Sequence, residues 1–127
     1  KKDIIYFANV EESDDGNELP GLMRLKTLTY DYIGKYNITP KNPARLRRAF
    51  DIPNRIRLYN TNFDIIHVKF FQSDEIRHWV ESVDESFGIF KYRWGDHVLR
   101  YLTTAIFADA SQVLLRIDFQ LPYCHPC

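Results

Sequence analysis

The chain has 127 residues, 45 % of them hydrophobic and 15 % aromatic, enough for one domain with a packed core. Lys plus Arg and Asp plus Glu number 17 each, giving a formal net charge of zero. That balance excludes a generic nucleic-acid binder, which is strongly basic, and an acidic tail protein. No apolar run approaches the roughly 18 residues that span a bilayer, and no signal-peptide pattern is present. Lys1-Lys2 stands directly before a strand pattern without an initiating methionine, as expected of a piece of something longer.

The elements follow in chain order. Asp3 to Val10 is β-branched and aromatic, and reads as a largely buried strand. Glu11 to Gly16 reads as a solvated acidic turn. The alternative is that one of its carboxylates lines a site at the strand's C-terminal end, where open α/β sheets place ligands. Pro20 suits a first helical turn, and Leu22, Leu25, Leu28, Tyr32 and Tyr36 recur at helical spacing, predicting a helix over 20–35. Its tyrosines read as core or rim packing rather than a stacking platform. Asn37-Ile38-Thr39 matches the N-glycosylation acceptor pattern. Ala44 to Phe50 is a basic helical stretch whose arginines read as a solvated face, or as a phosphate contact. Asp51 to Arg57 reads as irregular.

Asn62 to Phe71 is rich in β-formers and reads as one strand, with His67 packed inside it. Ser73 is a candidate N-cap, and Ile76, Trp79, Val80 and Val83 give an amphipathic helix that Gly88 is placed to end. His78 falls off that apolar face, on the solvated side. Phe90 to Asp96, FKYRWGD, reads as a strand-like aromatic run, a tight turn and a helix start. Val98, Leu99, Leu102, Ala105 and Ile106 carry the helix on. Val113 to Phe119 reads as a last strand, broken by Pro122. Alternating strands and helices make the fold class α/β, a mixed sheet with flanking helices in a single domain over 1–127.

Asp96 has two readings, and one residue can satisfy both. It is an N-cap accepting a first-turn amide, worth about 1 kcal/mol, or a ligand-site carboxylate with Arg93 supplying charge and Trp94 a flat apolar wall. The terminal Cys124-His125-Pro126-Cys127 has the two-residue gap of redox pairs and of half a zinc site, with His97 a possible fourth ligand. A disulfide, or a bond from Cys127 to a part of the protein outside this chain, competes with that reading.

From Asn62 onward the chain resembles the C-terminal half of the fungal-type glycolipid 2-alpha-mannosyltransferases of the Golgi. The matching motifs are Asn62-Phe63-Asp64, Phe71-Gln72-Ser73, Arg93-Trp94-Gly95-Asp96, Asp118 and Tyr123-Cys124-His125-Pro126, in the family's order and spacing. The resemblance implies a partial GT-A type nucleotide-diphospho-sugar transferase fold. It implies retaining transfer of mannose from GDP-mannose to a mannose-containing glycan acceptor in α-1,2 linkage, assisted by Mn2+. It also implies a lumenal Golgi domain held by a membrane segment that this chain lacks.

Carried over by position, Asp96 would hold a sugar hydroxyl or position the acceptor. One of Glu11, Glu12 or Asp14 matches a further family acid, with Glu11 the catalytic candidate among them. Arg93, Trp94, Asp64 and Tyr92 are the substrate-contact candidates, and His125 the contact to the diphosphate and the metal side. The departures are specific. The family's metal-binding Glu-Pro-Asp motif is absent, and Tyr92 replaces an acid. Leu58 lies where a histidine is usual, His97 replaces a small residue, and Cys124 replaces the first closing histidine. A catalytically inactive glycan-binding relative is therefore the competing reading.

Overall fold

The computed structural model describes residues 3–15, 21–92 and 94–122. Among the described residues, two small sheets and five α-helices are organised around a sixth, nearly buried helix. Strand β1 (Tyr6–Ala8) lies between β4 (Asp64–Ile66), antiparallel, and β5 (Val113–Leu115), parallel. Strand β2 (Glu11–Asp15) pairs antiparallel with β3 (Arg55–Tyr59), Glu11 opposite Tyr59 and Asp15 opposite Arg55. The α/β expectation holds. The strands are shorter and more numerous than the sequence pattern indicates.

The EESDD stretch is a strand rather than a solvated turn, and the segment ending at Arg57 is largely its partner. Four of these five residues are acidic, so no apolar alternation marks them. Arginines supply the complement: Arg48 Nε donates to Glu11 at 2.7 Å, and Arg55 Nε donates to the Ser13 hydroxyl at 3.0 Å. On β3 the pattern is legible in retrospect, with Ile56 and Leu58 buried between the arginines.

Helix α1 (Leu22–Lys35) matches its expected span, and the Pro20 start lies outside the described residues. Asn37 follows in the left-handed region (φ 52°) and is exposed. Helix α2 (Pro43–Ala49) starts on Asn42, whose side chain accepts from the Arg45 amide at 3.1 Å, with Pro43 at the first helical position. The strand expected over 62–71 stops at Ile66. Exposed His67 accepts the Phe70 amide through Nδ1 at 3.3 Å and caps α3 (Val68–Phe71), so it is not packed within a strand.

Helix α4 (Asp74–Glu85) buries Ile76, Trp79 and Val83, whereas Val80 is exposed. Its capping residue is Ser86, and the left-handed position after it is Phe87 (φ 58°), not Gly88. Gly88 instead opens α5 (Gly88–Tyr92), so the aromatic lead into the central motif is helical rather than extended. The reason is packing: a Cβ at Gly88 would run into the Trp94 ring. His78 is exposed, as expected, and its Nδ1 lies 2.7 Å from the Tyr32 hydroxyl.

Helix α6 (Asp96–Phe107) is the organising element. Val98 and every residue from Tyr101 to Phe107 are buried. A helix apolar on nearly all sides belongs inside a core, and α6 packs on β3, α2 and α4. Its buried threonines are satisfied locally, Thr103 donating to the Leu99 carbonyl at 2.6 Å and Thr104 to the Arg100 carbonyl at 2.9 Å. Trp79 Nε1 in turn donates to the Thr103 hydroxyl at 3.0 Å, which locks α4 to α6. The last expected strand ends at Leu115 and continues as a 3-10 turn, Arg116–Phe119.

Candidate active site

Asp64, at the start of β4, and Arg100, in the second turn of α6, bring the two elements together. Asp96 is the second residue of a helix entry in which Gly95 takes the N-cap position, with no side-chain cap. The capping reading of Asp96 therefore fails. As a first-turn carboxylate it still meets the positive helix end. Its side chain is 63 % exposed and therefore open to a ligand. Thr61 Oγ1 lies 3.4 Å from Asp96 Oδ1.

Asp64 is the opposite case. Its side chain is 16 % exposed, and Oδ2 accepts from both Arg100 Nη1 and the Tyr6 hydroxyl, the latter at 2.9 Å. Burial and then the Asp64 hydrogen bond push the Tyr6 phenol far above its ordinary range. Burial alone would lower the Arg100 guanidinium, but pairing with Asp64 reverses that and raises it. Arg100 sits one turn after Asp96 on α6, the i,i+4 spacing that stacks side chains on one helical face. So Arg100 joins the two candidate carboxylates: it pairs with one and shares a face with the other.

His97 links the helix start to the acidic strand. Its Nε2 lies 3.6 Å from Asp14 Oδ2 and its Nδ1 lies 3.7 Å from Asp96 Oδ1. Among Glu11, Glu12 and Asp14, then, the acid drawn toward Asp96 is Asp14. Glu11 faces elsewhere, 2.7 Å from Arg48 Nε and 3.7 Å from Arg57 Nη1. Its charge is felt by the buried Tyr101, whose phenol is raised mainly by burial and secondarily by Glu11. Glu12 lies 3.4 Å from Asn60 Nδ2.

The aromatic candidates divide. Trp94 is 3 % exposed, stacked at 5.6 Å on Tyr92 and packed against Gly88, so it backs the site instead of offering a flat wall. Half-buried Tyr92 packs against Gly21 and carries the Arg24 guanidinium 6.0 Å from its ring centre. Arg93 and His125 lie outside the described residues, as do Cys124 and Cys127. Among the described residues, no three His, Cys, Asp or Glu side chains converge as a metal site. These residues alone do not fit Mn2+.

Sequence reasoning missed Tyr6 and Arg100. The Asp96-x-x-x-Arg100 spacing was the available signal for Arg100. Tyr6 had none beyond its place in a strand.

Comparison with known proteins bears on the family and the fold. Residues 46–125 match the glycolipid 2-alpha-mannosyltransferase family, more than half of the chain. The probable mannosyltransferase KTR3 of Saccharomyces cerevisiae is 38 % identical over 53 residues, which is 42 % of this chain and 13 % of that protein. The O-glycoside alpha-1,2-mannosyltransferase homolog 3 of Schizosaccharomyces pombe is 32 % identical over 68 residues, 51 % of this chain and 18 % of that protein. Among solved structures, core-mannan synthase A (CmsA/Ktr4) of Aspergillus fumigatus, in its Mn/GDP form, superposes with a TM-score of 0.68 at 21 % identity. That match covers 91 % of this chain and 33 % of that one. Mannosyltransferase Ktr4p of S. cerevisiae in complex with GDP gives 0.69 at 22 % identity, over 88 % and 30 %. The alignments thus cover less than a fifth of these curated relatives and about a third of the solved ones. With the family model matching more than half of its length, the chain belongs to the glycolipid 2-alpha-mannosyltransferase family.

Proposed function

We propose that this chain forms the acceptor-side part of a mannosyltransferase that moves mannose from GDP-mannose to a mannose-containing glycan. The reading takes the transfer as retaining and α-1,2, in the Golgi lumen, with Mn2+ held by parts of the enzyme outside the described residues. The observation that carries it is the pair of carboxylates joined by Arg100. Asp64, on β4, is largely enclosed and oriented by two donors, while Asp96 stands open on α6, one turn before Arg100.

Each half suits a task in glycosyl transfer. A carboxylate fixed by Arg100 and Tyr6 keeps its remaining oxygen in a set direction, as positioning of a reacting sugar requires. An exposed carboxylate at a helix start accepts hydroxyl hydrogen bonds from the acceptor sugar. Tyr92, stacked on Trp94 just before the motif, is proposed as a substrate contact on the strength of its position in the sequence. Arg93 and His125 are proposed to contact the substrates and the diphosphate, on the strength of their motif positions. Glu11 serves in this reading as the centre of an ion-pair cluster with Arg48 and Arg57, and Asp14 replaces it as the acid beside Asp96. KTR3 and the S. pombe homolog 3 carry mannosyltransferase names, and the Ktr4p structure holds GDP. Both facts support this choice of substrates.

Isothermal titration with GDP-mannose, with and without Mn2+, tests the reading on this chain and on the longest natural form of the protein. Binding by the longer form alone, and only with Mn2+, is the expected result. Failure of both to bind defeats the transferase reading and leaves a glycan-binding relative.

A further inference from the structure

We infer that the groove between α1 and α4 is a second glycan-binding site, taking a neutral hexose ring distinct from the sugars at Asp64 and Asp96. The identity of that hexose as mannose rests on the transferase reading above; the groove's preference for a neutral sugar does not.

The groove has a volume of about 320 Å³ and is lined by Leu28, Asp31, Tyr32, Lys35 and Tyr36 from the α1 side and Ser82, Glu85 and Ser86 from the α4 side. That volume is at the small-ligand end of binding sites, about 300–1,000 Å³. None of these residues belongs to the site around α6. Tyr36 is 42 % exposed, a large aromatic left at the surface at the end of α1.

Tyr36 is held rigidly. Its ring stands edge-on to His78, 4.6 Å away at 86°, and 4.9 Å from the ring of Tyr32. Tyr32 is fixed in turn by the 2.7 Å contact of its hydroxyl with His78 and by packing 5.1 Å from Trp79 in the core. A ring fixed before binding loses little entropy on contact, which is what a stacking platform needs. The negative face of such a ring attracts the weakly positive C–H face of a pyranose.

The polar rim selects the ligand class. Asp31 and Glu85 are acceptors on opposite helices, the Lys35 ammonium lies over the Tyr36 ring 5.3 Å from its centre, so that a sugar takes the other face or displaces it, and Ser82 and Ser86 both donate and accept. Two carboxylates disfavour a phosphate or other anion. A polyol, which donates and accepts at every hydroxyl, satisfies carboxylate, ammonium and hydroxyl at once. In a transferase acting on glycans, such a groove would hold a sugar of the chain remote from the transfer point and raise the local acceptor concentration.

The test is an amide-resolved NMR titration of this chain with methyl α-D-mannopyranoside and with α-linked mannobiose. It should run to about 50 mM, since a one-ring contact binds with a dissociation constant on the order of 1–10 mM. Saturating shifts at Lys35, Tyr36, Ser82 and Glu85 are expected. Tyr36→Ala should weaken them at least about fivefold, as for loss of one stacked ring. Tyr36 is a surface residue, so the variant keeps its fold, which the rest of its spectrum checks. Asp31→Asn should weaken the same shifts, and Asp96→Asn should leave them unchanged. A groove that stays silent to the highest concentration, or binds equally well in Tyr36→Ala, overturns the inference. Shifts confined to Asp64 and Asp96 also overturn it, yet support the transferase reading. Groove binding by a protein whose longest form ignores GDP-mannose supports the inference while that reading falls.

Discussion

Asp64 pairs with Arg100 and Asp96 precedes Arg100 by one helical turn, yet the two carboxylates are built in opposite ways. Asp64 is enclosed, paired and hydrogen-bonded, so the fold depends on it. Asp96 is exposed, and its contacts at 3.4 and 3.7 Å are loose, so the fold scarcely needs it. The difference separates what holds a site in place from what is free to meet a substrate. It also gives each residue a distinct signature when it is altered.

The largest stability effect belongs to Asp64. Asp64→Ala leaves Arg100 and the Tyr6 hydroxyl without their shared partner in a largely enclosed place. Urea unfolding should show a loss of about 2–4 kcal/mol, somewhat below the cost of breaking a fully buried pair because Arg100 is partly exposed. Gly88→Ala should come next, at about 1–3 kcal/mol, because the added methyl overpacks against Trp94. A Gly88→Ala chain as stable as the parent would mean that Trp94 is free enough to act as a ligand wall after all, and the division between Trp94 and Tyr92 would fall.

Tyr6→Phe should cost about 1 kcal/mol, the net worth of one hydrogen bond, and thermal unfolding would read it. The same phenol makes a pH prediction. Folding raises the Tyr6 phenol above its ordinary value near 10, and burial raises Tyr59 and Tyr101 in the same direction. The unfolded chain therefore loses these protons first, so their stabilisation is complete below about pH 10 and is lost as pH rises above it. Tyr6→Phe should flatten that alkaline decline, measured as the unfolding midpoint against pH. Asp96→Asn should be the mildest change, within about 0.5 kcal/mol as for an exposed surface position.

The same contrast explains what could be read from sequence. Helices α1, α4 and α6 were legible because their apolar residues recur at helical spacing. Strand β2 was not, because it is held by arginines on β3 and α2, and no residue within it carries a strand signal. The short helices α3 and α5 were misread as strands, since Val68, Phe70, Phe71, Phe90 and Tyr92 are β-formers overruled by a His67 cap and by packing of Gly88 on Trp94. Asp64 and Asp96 were legible through their motifs. Their opposite environments were not, because Arg100 and Tyr6 reach Asp64 only once β1, β4 and α6 are brought together.

Mannose transfer by Asp96→Asn in the longest natural form tests the central claim most directly, with GDP-mannose as donor and an α-linked mannobiose as acceptor. The account predicts an unchanged unfolding midpoint together with turnover reduced by about 100-fold or more, as when a group acting in the transition state is removed. Turnover equal to the parent's would contradict it, because Asp96 would then be a surface carboxylate at a helix start and nothing more.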